Sequence, residues 1–447
     1  MLPEIPTSLL VATVTLVLVP SLVVLTGGLR KNLFRVLGLY KRSRQVYLYY
    51  TGNRTEESEQ ERRVVSGKAW EDWCDSLKSA NAALVAPGCP QDGFNQAEGY
   101  RYLSRLVRAS LENFLECNDP SAPVLVSLAN GLRDCPVKLG SDNPDNLYQN
   151  ANLDSRETYV LSGKRGTVHY LGFGTQSGTY GQAGGLQTVM YVDYSELEHV
   201  EEDGSFEIVL SAQAPEQPGK NWLKLLSPPH RALLIVRQTF LNRKGEMPAE
   251  LTLRRTSGPH QPSQLTCAQI EEALQTSALF VCGASMMFSR WSYGFQKHVN
   301  TLPLFDQETS NKAGGDPQIR YYHSYWELQR PHEQCLVIEA TPPECDCWNF
   351  QLNNHWMESL DYRYYQVHVN SYLAKYDAQG AVRVIVSAVD PKLAGLGERQ
   401  LARIEPYYWI DTCGHAQGQM LWRWVKTKRE EDVAKQISCR VVELTDL

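Results

Sequence analysis

The sequence predicts a mainly β, α+β protein. Antiparallel sheets of the sandwich or jelly-roll type carry helical segments and are preceded by one transmembrane helix. Three observations lead there. An uncharged apolar run of 25 residues opens the chain at residues 5–29. Helical periodicity follows it over 67–117 and returns at 267–297, around Ile270, Leu274, Val281 and Phe288. Elsewhere the period is two, in short stretches rich in Tyr, Trp, Val and Ile, with Gly and Asp turns between them.

As a helix, residues 5–29 would extend roughly 37 Å, enough to cross a bilayer. No Lys or Arg precedes the run, whereas Arg30, Lys31, Arg35, Lys41, Arg42 and Arg44 follow it. That bias points to a single-pass anchor in the lipid bilayer with the body on the cytoplasmic side. The sequon Asn53-Arg54-Thr55 argues weakly the other way. Residues 1–45 thus read as anchor and basic juxtamembrane segment, and the polar stretch 46–65 as a linker.

A helical segment occupies 66–135. In its second helix Leu103, Leu106, Val107, Leu111, Phe114 and Leu115 share one face. The first sandwich takes residues 136–260. There TYVLSGKRGTVHYLGF (158–173) reads as a hairpin, Asp203-Gly204 precedes an alternating run, and ALLIVRQTFL (232–241) is a strand. A connecting helix fills 261–300, capped by Thr266 with Gln269. The second sandwich spans 301–430 and includes YRYYQVHVNSYLAKY (362–376) read as a strand, while 431–447 is a carboxyl-terminal tail. No fixed-period repeat is evident.

A net charge of −6 provides no basic field, so nucleic acid is excluded as a partner. Eleven cysteines contain no C-x-x-C pair, which removes zinc ribbons and redox pairs. HExxH, G-x-S-x-G and the GxxxxGK[ST] phosphate loop are all absent; the glycine-rich stretch 172–185 lacks the lysine. Asp411, Cys413 and His415 would form a nucleophile set only if they shared a pocket. His169, His323 and His368 fall on strands, where a satisfied histidine is the usual case and a metal site built across strands the alternative.

Two segments concentrate polar and aromatic groups. In CDCWNFQLNNHWMESLDYRYYQ (345–366), alternation puts Trp348, Phe350 and Leu352 on one face and Cys347, Asn349, Gln351 and Asn353 on the other. Asn354, His355, Trp356, Glu358 and Asp361 then leave the alternation in a bend, where binding groups tend to sit. They serve equally well as partners for backbone groups at a sheet corner. In KLGSDNPDNLYQNANLD (138–154), Asp142, Asn143, Asp145 and Asn146 surround Pro144. These oxygens would suit Ca²⁺, and the residues are also plain turn formers. No motif calls for a cofactor or another metal.

GSDNPDNLY, GKRGTVHYLGFG, GGDPQIRYYHSYWEL, CWNFQLNNHWMESLDYRYYQVHVN and DTCGHAQGQMLWRWV resemble the domain of unknown function 1214 family, often found with the related domain 1254. The resemblance covers about residues 66–430. It implies a double, jelly-roll-like β-sandwich with a helical insertion, and it carries no agreed reaction or catalytic residue. The expected function is binding of a carbohydrate-like or other small polar ligand between the sandwiches. Asp142, Asn143, Asp145, Tyr148, Asn349, Gln351, Asn354, His355 and Trp356 are the candidate contacts. One alternative is a hydrolase or lyase on a glycan-like or lipid-linked substrate, with Glu358, Asp361 and His355 as acid–base candidates. The other is a structural or assembly protein.

Overall fold

The computed structural model describes residues 56–130, 137–178, 186–228, 231–428 and 437–447, with part of 37–51. Its contacts divide the chain into two units: Met1–Asp75 with Leu265–Glu272, and Ser76–Gln264 with Ala273–Leu447. In the first, Arg63 of helix α1 (Glu56–Ser66) binds Glu271 at 2.5 Å and Asp72 at 3.0 Å. The expected cap is there: Thr266 N–H donates to Gln269 Oε1, and Gln269 N–H to Thr266 Oγ1.

The helices that follow are α2 (Lys68–Ser79), α3 (Gly93–Leu111), α4 (Cys267–Phe295), α5 (Gln307–Lys312) and α6 (Glu398–Ile404). Asp92 caps α3 by accepting the Asn95 N–H. The first set of strands is β1 (Val126–Asn130), β2 (Asn146–Asp154), β3 (Tyr159–Lys164), β4 (Tyr170–Ser177), β5 (Gln187–Asp193), β6 (Ser205–Ser211), β7 (Asn221–Lys224), β8 (Arg231–Thr239) and β9 (Glu250–Arg255). The second is β10 (Ile319–Glu327), β11 (Gln334–Ala340), β12 (Cys347–Asn353), β13 (His368–Asn370), β14 (Val382–Ser387), β15 (Tyr408–Asp411), β16 (Gln417–Val425) and β17 (Ile437–Glu443).

Among the described residues four sheets result, ordered β1-β2-β8-β4-β5, β7-β6-β3-β9, β10-β16-β12-β13 and β15-β14-β11-β17. Pairing is antiparallel except at β6–β7 and β14–β15. The first two sheets enclose one apolar core, with Leu153, Leu161, Phe173, Ile208, Leu234 and Val236 inside. The other two enclose a core heavy in indole rings: Trp326, Trp348, Trp422 and Trp424 with Leu336, Val384 and Ile410. A third core belongs to the helices. Leu84, Tyr102 and Leu106 meet Val281, Ala284 and Phe288 of α4, together with Tyr325, Trp356 and Met357 from the second sandwich.

The two sandwiches share one topology. Taking β2–β9 and β10–β17 in order, every pairing of the first set has its counterpart in the second. β2–β8, β8–β4 and β4–β5 match β10–β16, β16–β12 and β12–β13. β3–β6, β3–β9 and the parallel β6–β7 match β11–β14, β11–β17 and the parallel β14–β15. Side chains repeat as well: Trp222 Nε1 donates to Ser211 Oγ at 3.2 Å, and Trp409 Nε1 to Ser387 Oγ at 3.1 Å. The chain is an internal duplication, in which the two copies keep the pairing order and some hydrogen-bonding pairs.

The expected fold class is corrected. The fold is α+β, with four mostly antiparallel sheets and helices that build a core of their own, rather than a mainly β body behind a transmembrane helix. Residues 5–29 lie outside the described residues, as does the sequon at 53–55. Among the described residues no helix is long and apolar enough to cross a membrane. The longest, α4, carries Glu271, Glu272 and Arg290 and turns its apolar side to protein. The single-pass membrane reading, with its bilayer partner and cytoplasmic body, is therefore not supported.

Local expectations differ too. Residues 158–173 do not pair as a hairpin. β3 bonds to β6 and β9 while β4 bonds to β5 and β8, so the connection crosses from one sheet to the other and both strands cover the same core. Of 362–376 only His368–Asn370 is strand; Asp361 binds Arg363 at 2.9 Å, and Tyr364 and Tyr365 are exposed in the turn. The stretch read as a linker contains α1. The stretch read as a tail contains β17, which pairs along the whole of β11.

Candidate functional site

Each copy opens with an Asx-Pro turn. Asn143 N–H donates to Tyr148 Oη at 3.3 Å, and Asp316 N–H to Tyr321 Oη at 3.0 Å. Tyr148 lies opposite Arg237 in the sheet, and Tyr321 opposite Arg423. Each arginine reaches the turn of the other copy. Arg237 Nη2 donates to the Gly314 carbonyl, and Arg423 Nη2 to the Ser141 carbonyl. Both guanidinium groups are buried, at 5% exposure. Burial opposes the charge on Arg237, and the Asp316 carboxylate holds it in place. A polar seam thus joins the sandwiches by reciprocal contacts.

Several expected residues meet on this seam. Asn349 Nδ2 donates to Asn143 Oδ1 at 2.8 Å, and Gln351 Nε2 to the Asp142 carbonyl at 2.9 Å. Gln351 Oε1 accepts from Arg423 Nη1 at 2.5 Å. The Asp142 carboxylate accepts from Ser359 N–H at 3.0 Å and Ser359 Oγ at 2.7 Å. Burial pushes the Asp142 carboxyl up, and Lys138 opposes that shift. Lys138 Nζ donates to the carbonyls of Ser359 and Leu360, and burial lowers its pKa. These polar groups mostly satisfy one another, so this stretch closes the seam. Of the residues considered for Ca²⁺, Asp142 and Asn143 spend side-chain oxygens on Ser359 and Asn349.

A second group belongs to the helical core. Asn354 Oδ1 accepts from the Trp356 and Glu358 N–H groups, which sets the bend. Trp356 Nε1 donates to the Asn95 carbonyl at 3.0 Å. Glu358 takes Arg105 on one oxygen at 2.6 Å and Asn354 on the other at 2.9 Å; burial raises its pKa against the pull of Arg105. His355 is fully buried, 2.9 Å from Tyr325 Oη, and burial lowers its pKa to about 4. Asp361 stands apart with Arg363.

The nucleophile and three-histidine sets do not assemble. Burial pushes the Cys413 thiol up to about 12, and His415 packs on Phe94 at 4.7 Å. His323 stacks on Phe295, His169 lies beside Asp346, and His368 beside Asp145.

Around Asp145 the seam is incompletely bonded. His368 Nε2 and Asn370 Nδ2 both lie 3.0 Å from Asp145 Oδ1. Arg243 Nη2 donates to the carbonyls of Pro144 and Asn146. Yet Asp145 Oδ2, Asn146 Oδ1, Arg243 Nη1 and His368 Nδ1 are buried with no hydrogen-bond partner among the described residues. Buried polar atoms are normally paired, so four at one turn need a cause. The His368 side chain keeps 18% of its surface exposed, which leaves a way in. By register, the equivalents of His368 and Asn370 in the first copy are Tyr191 and Asp193. The equivalent of Asp145 is Gln318, since Phe240 N–H donates to Asp145 and Lys426 N–H to Gln318. The duplicated turns therefore differ in chemistry here.

Arg243 and Asn370 were missed as site residues, His368 was weighed only for a metal site across strands, and the cations Lys138, Arg105, Arg237 and Arg423 were missed as well. A signal existed for the last two: each is a single charge inside an apolar strand, LLIVRQT and MLWRWV.

No family model matches the chain, and no curated protein matches it. Among solved structures, an uncharacterised protein from Burkholderia cenocepacia is similar at 41% identity with a TM-score of 0.77, over 86% of this chain and 99% of that one. A Vibrio parahaemolyticus protein aligns at 10% identity with a TM-score of 0.42, over 82% of this chain and 99% of that one.

Proposed function

We propose that this chain, which belongs to one family with the Burkholderia cenocepacia protein, binds a small hydroxylated ligand at the Asp145 turn. The observation that carries the reading is the set of four unpartnered polar atoms on Asp145, Asn146, Arg243 and His368. A carboxylate oxygen and an amide oxygen want donors, and a guanidinium N–H wants an acceptor. A molecule rich in hydroxyl groups supplies both, as a sugar or polyol does. Tyr362 and Tyr408, both half-buried, lie in the electrostatic reach of Arg243 and Asp145 respectively. The resemblance to domain of unknown function 1214 is part of the same proposal, since its quoted segments include both sides of this turn. Nothing in the geometry favours acid–base catalysis by Glu358 and His355, which are buried and bonded within the helical core.

The test is calorimetric titration of the purified chain with a panel of monosaccharides, sugar acids and polyols. A charge-assisted hydrogen bond contributes about 1.5–3 kcal/mol, so Asp145→Asn and Arg243→Gln each weaken binding about 10–100-fold. Binding unchanged in both variants, or no binding across the panel, defeats the reading.

A further inference from the structure

His169, Asp346 and Cys347 bring an imidazole nitrogen, a carboxylate oxygen and a thiol sulfur within 4.8 Å of one another. His169 immediately precedes β4, and Asp346 immediately precedes β12. These are equivalent positions in the duplication. Gly172 faces Arg237, and Asn349 faces Arg423, so three residues back His169 corresponds to Asp346. The two equivalents meet where the sandwiches touch, and Cys347 stands beside them.

We propose that these three side chains form a binding site for a divalent ion of the zinc class. The donor set is mixed and borderline-soft, which suits zinc and not the oxygen-seeking calcium or magnesium. The geometry is close to what a tetrahedral ion needs. Bond lengths near 2.0–2.3 Å put neighbouring donors about 3.3–3.6 Å apart. His169 Nε2 and Asp346 Oδ2 already stand 3.2 Å apart, and the Cys347 sulfur lies within 4.8 Å of both. Its surroundings are fixed on both sides. His169 N–H donates to Glu246 Oε2 at 3.2 Å, and Asp346 N–H donates to the Val425 carbonyl at 2.9 Å. The His169 and Asp346 side chains are 31% and 40% exposed, so an ion can enter and a water can fill its fourth position. Cys347 is buried and belongs to the small core formed with Tyr170, Tyr321 and Leu421, which shields the sulfur from oxidants. A bound ion would clamp one sandwich to the other and, unlike the Asp145 turn, asks nothing of an organic ligand.

The probe is the metal alone. The full chain, stripped with chelator and dialysed, is titrated with Zn²⁺ in competition with a chromophoric chelator, and separately with Co²⁺. The expected result is one ion per chain, and a thiolate-to-cobalt charge-transfer band that reports sulfur ligation directly. Asp346→Asn and His169→Ala each weaken binding at least about 10–100-fold, the loss typical even of groups that only orient a ligand. Cys345→Ser, two residues away and packed toward the indole core, leaves affinity and spectrum unchanged. Failure to bind one ion per chain, a cobalt spectrum without the sulfur band, or undiminished affinity in Asp346→Asn overturns the proposal. If Cys347→Ala does not fold, the wild-type cobalt spectrum and the two exposed-ligand variants still decide it.

Discussion

Replacing Arg423 by methionine keeps the length of the side chain and removes the guanidinium from the seam. Two close acceptors lose their donor: Gln351 Oε1, at 2.5 Å, and the Ser141 carbonyl. The third contact, to Asn349 Oδ1 at 3.4 Å, is too long to add much. Two charge-assisted bonds are worth about 3–6 kcal/mol together. Methionine returns part of this, because the charge no longer has to be desolvated, and burial already depresses the Arg423 pKa. The net expectation is a loss of about 3 kcal/mol. Arg423→Lys keeps a charge near Asp142 and Asp145 but cannot fork to two acceptors, so it recovers no more than about half. Urea unfolding followed by tryptophan fluorescence suits the question, since Trp422 and Trp424 flank the site and are fully buried. A loss below about 1 kcal/mol for Arg423→Met, or full recovery with lysine, would refute the view that the reciprocal arginines hold the sandwiches together.

Three buried histidines predict acid sensitivity. Burial lowers His323 to about 3 and His355 and His415 to about 4. The folded state keeps them neutral, while the unfolded chain protonates near 6.5, so stability falls as pH drops from about 6.5 toward 4, by up to about 4 kcal/mol per pH unit for the three. His323→Phe removes about a third of that slope, and urea midpoints that stay flat over this range contradict the assignment. A Cβ on Gly418 would sit on the backbone carbonyl oxygen of Asn353, which cannot yield. Gly418→Ala is therefore expected to destabilise by more than about 3 kcal/mol in a thermal melt. At Gly99 the added Cβ meets side chains of Leu84 and Trp356 at 2.9 Å, and alanine in a helix regains about 1 kcal/mol, so Gly99→Ala should lose only about 1 kcal/mol. The reverse order of severity would show that these contacts are misjudged.

Periodicity told the sheets and long helices well because burial imposes it directly. Phe350 and Leu352 face the core and Asn349 and Gln351 the seam, as alternation requires. Pairing partners were harder. TYVLSGKRGTVHYLGF has every local feature of a hairpin, and only the common core shows that its two strands belong to opposite sheets. The tyrosine run at 362–366 has strong strand propensity, yet the local Asp361–Arg363 pair bends it away. At the site, proximity of 142–143 to 349–351 was readable as two amide-rich segments. Arg243 was not, because it lies in a turn almost a hundred residues from Asp145, and nothing local marks which carboxylate it will face. The duplication escaped because its shared residues are sparse: Tyr148 and Tyr321 recur, as do Arg237 and Arg423, but Asn143 and Asp316 do the same work with different side chains.

The crossed arginines also bear on how such a body can be taken apart. Arg237 finds its carbonyl at Gly314, and Arg423 finds one at Ser141, so each cation takes a backbone acceptor from the other sandwich. A fragment ending before α4 and another beginning after it would each expose a buried charge when alone. Mixed, they would restore both bonds at once. Co-expressed halves are thus complements, and a single-copy ancestor could have gained the same carbonyl for its arginine by pairing with its twin.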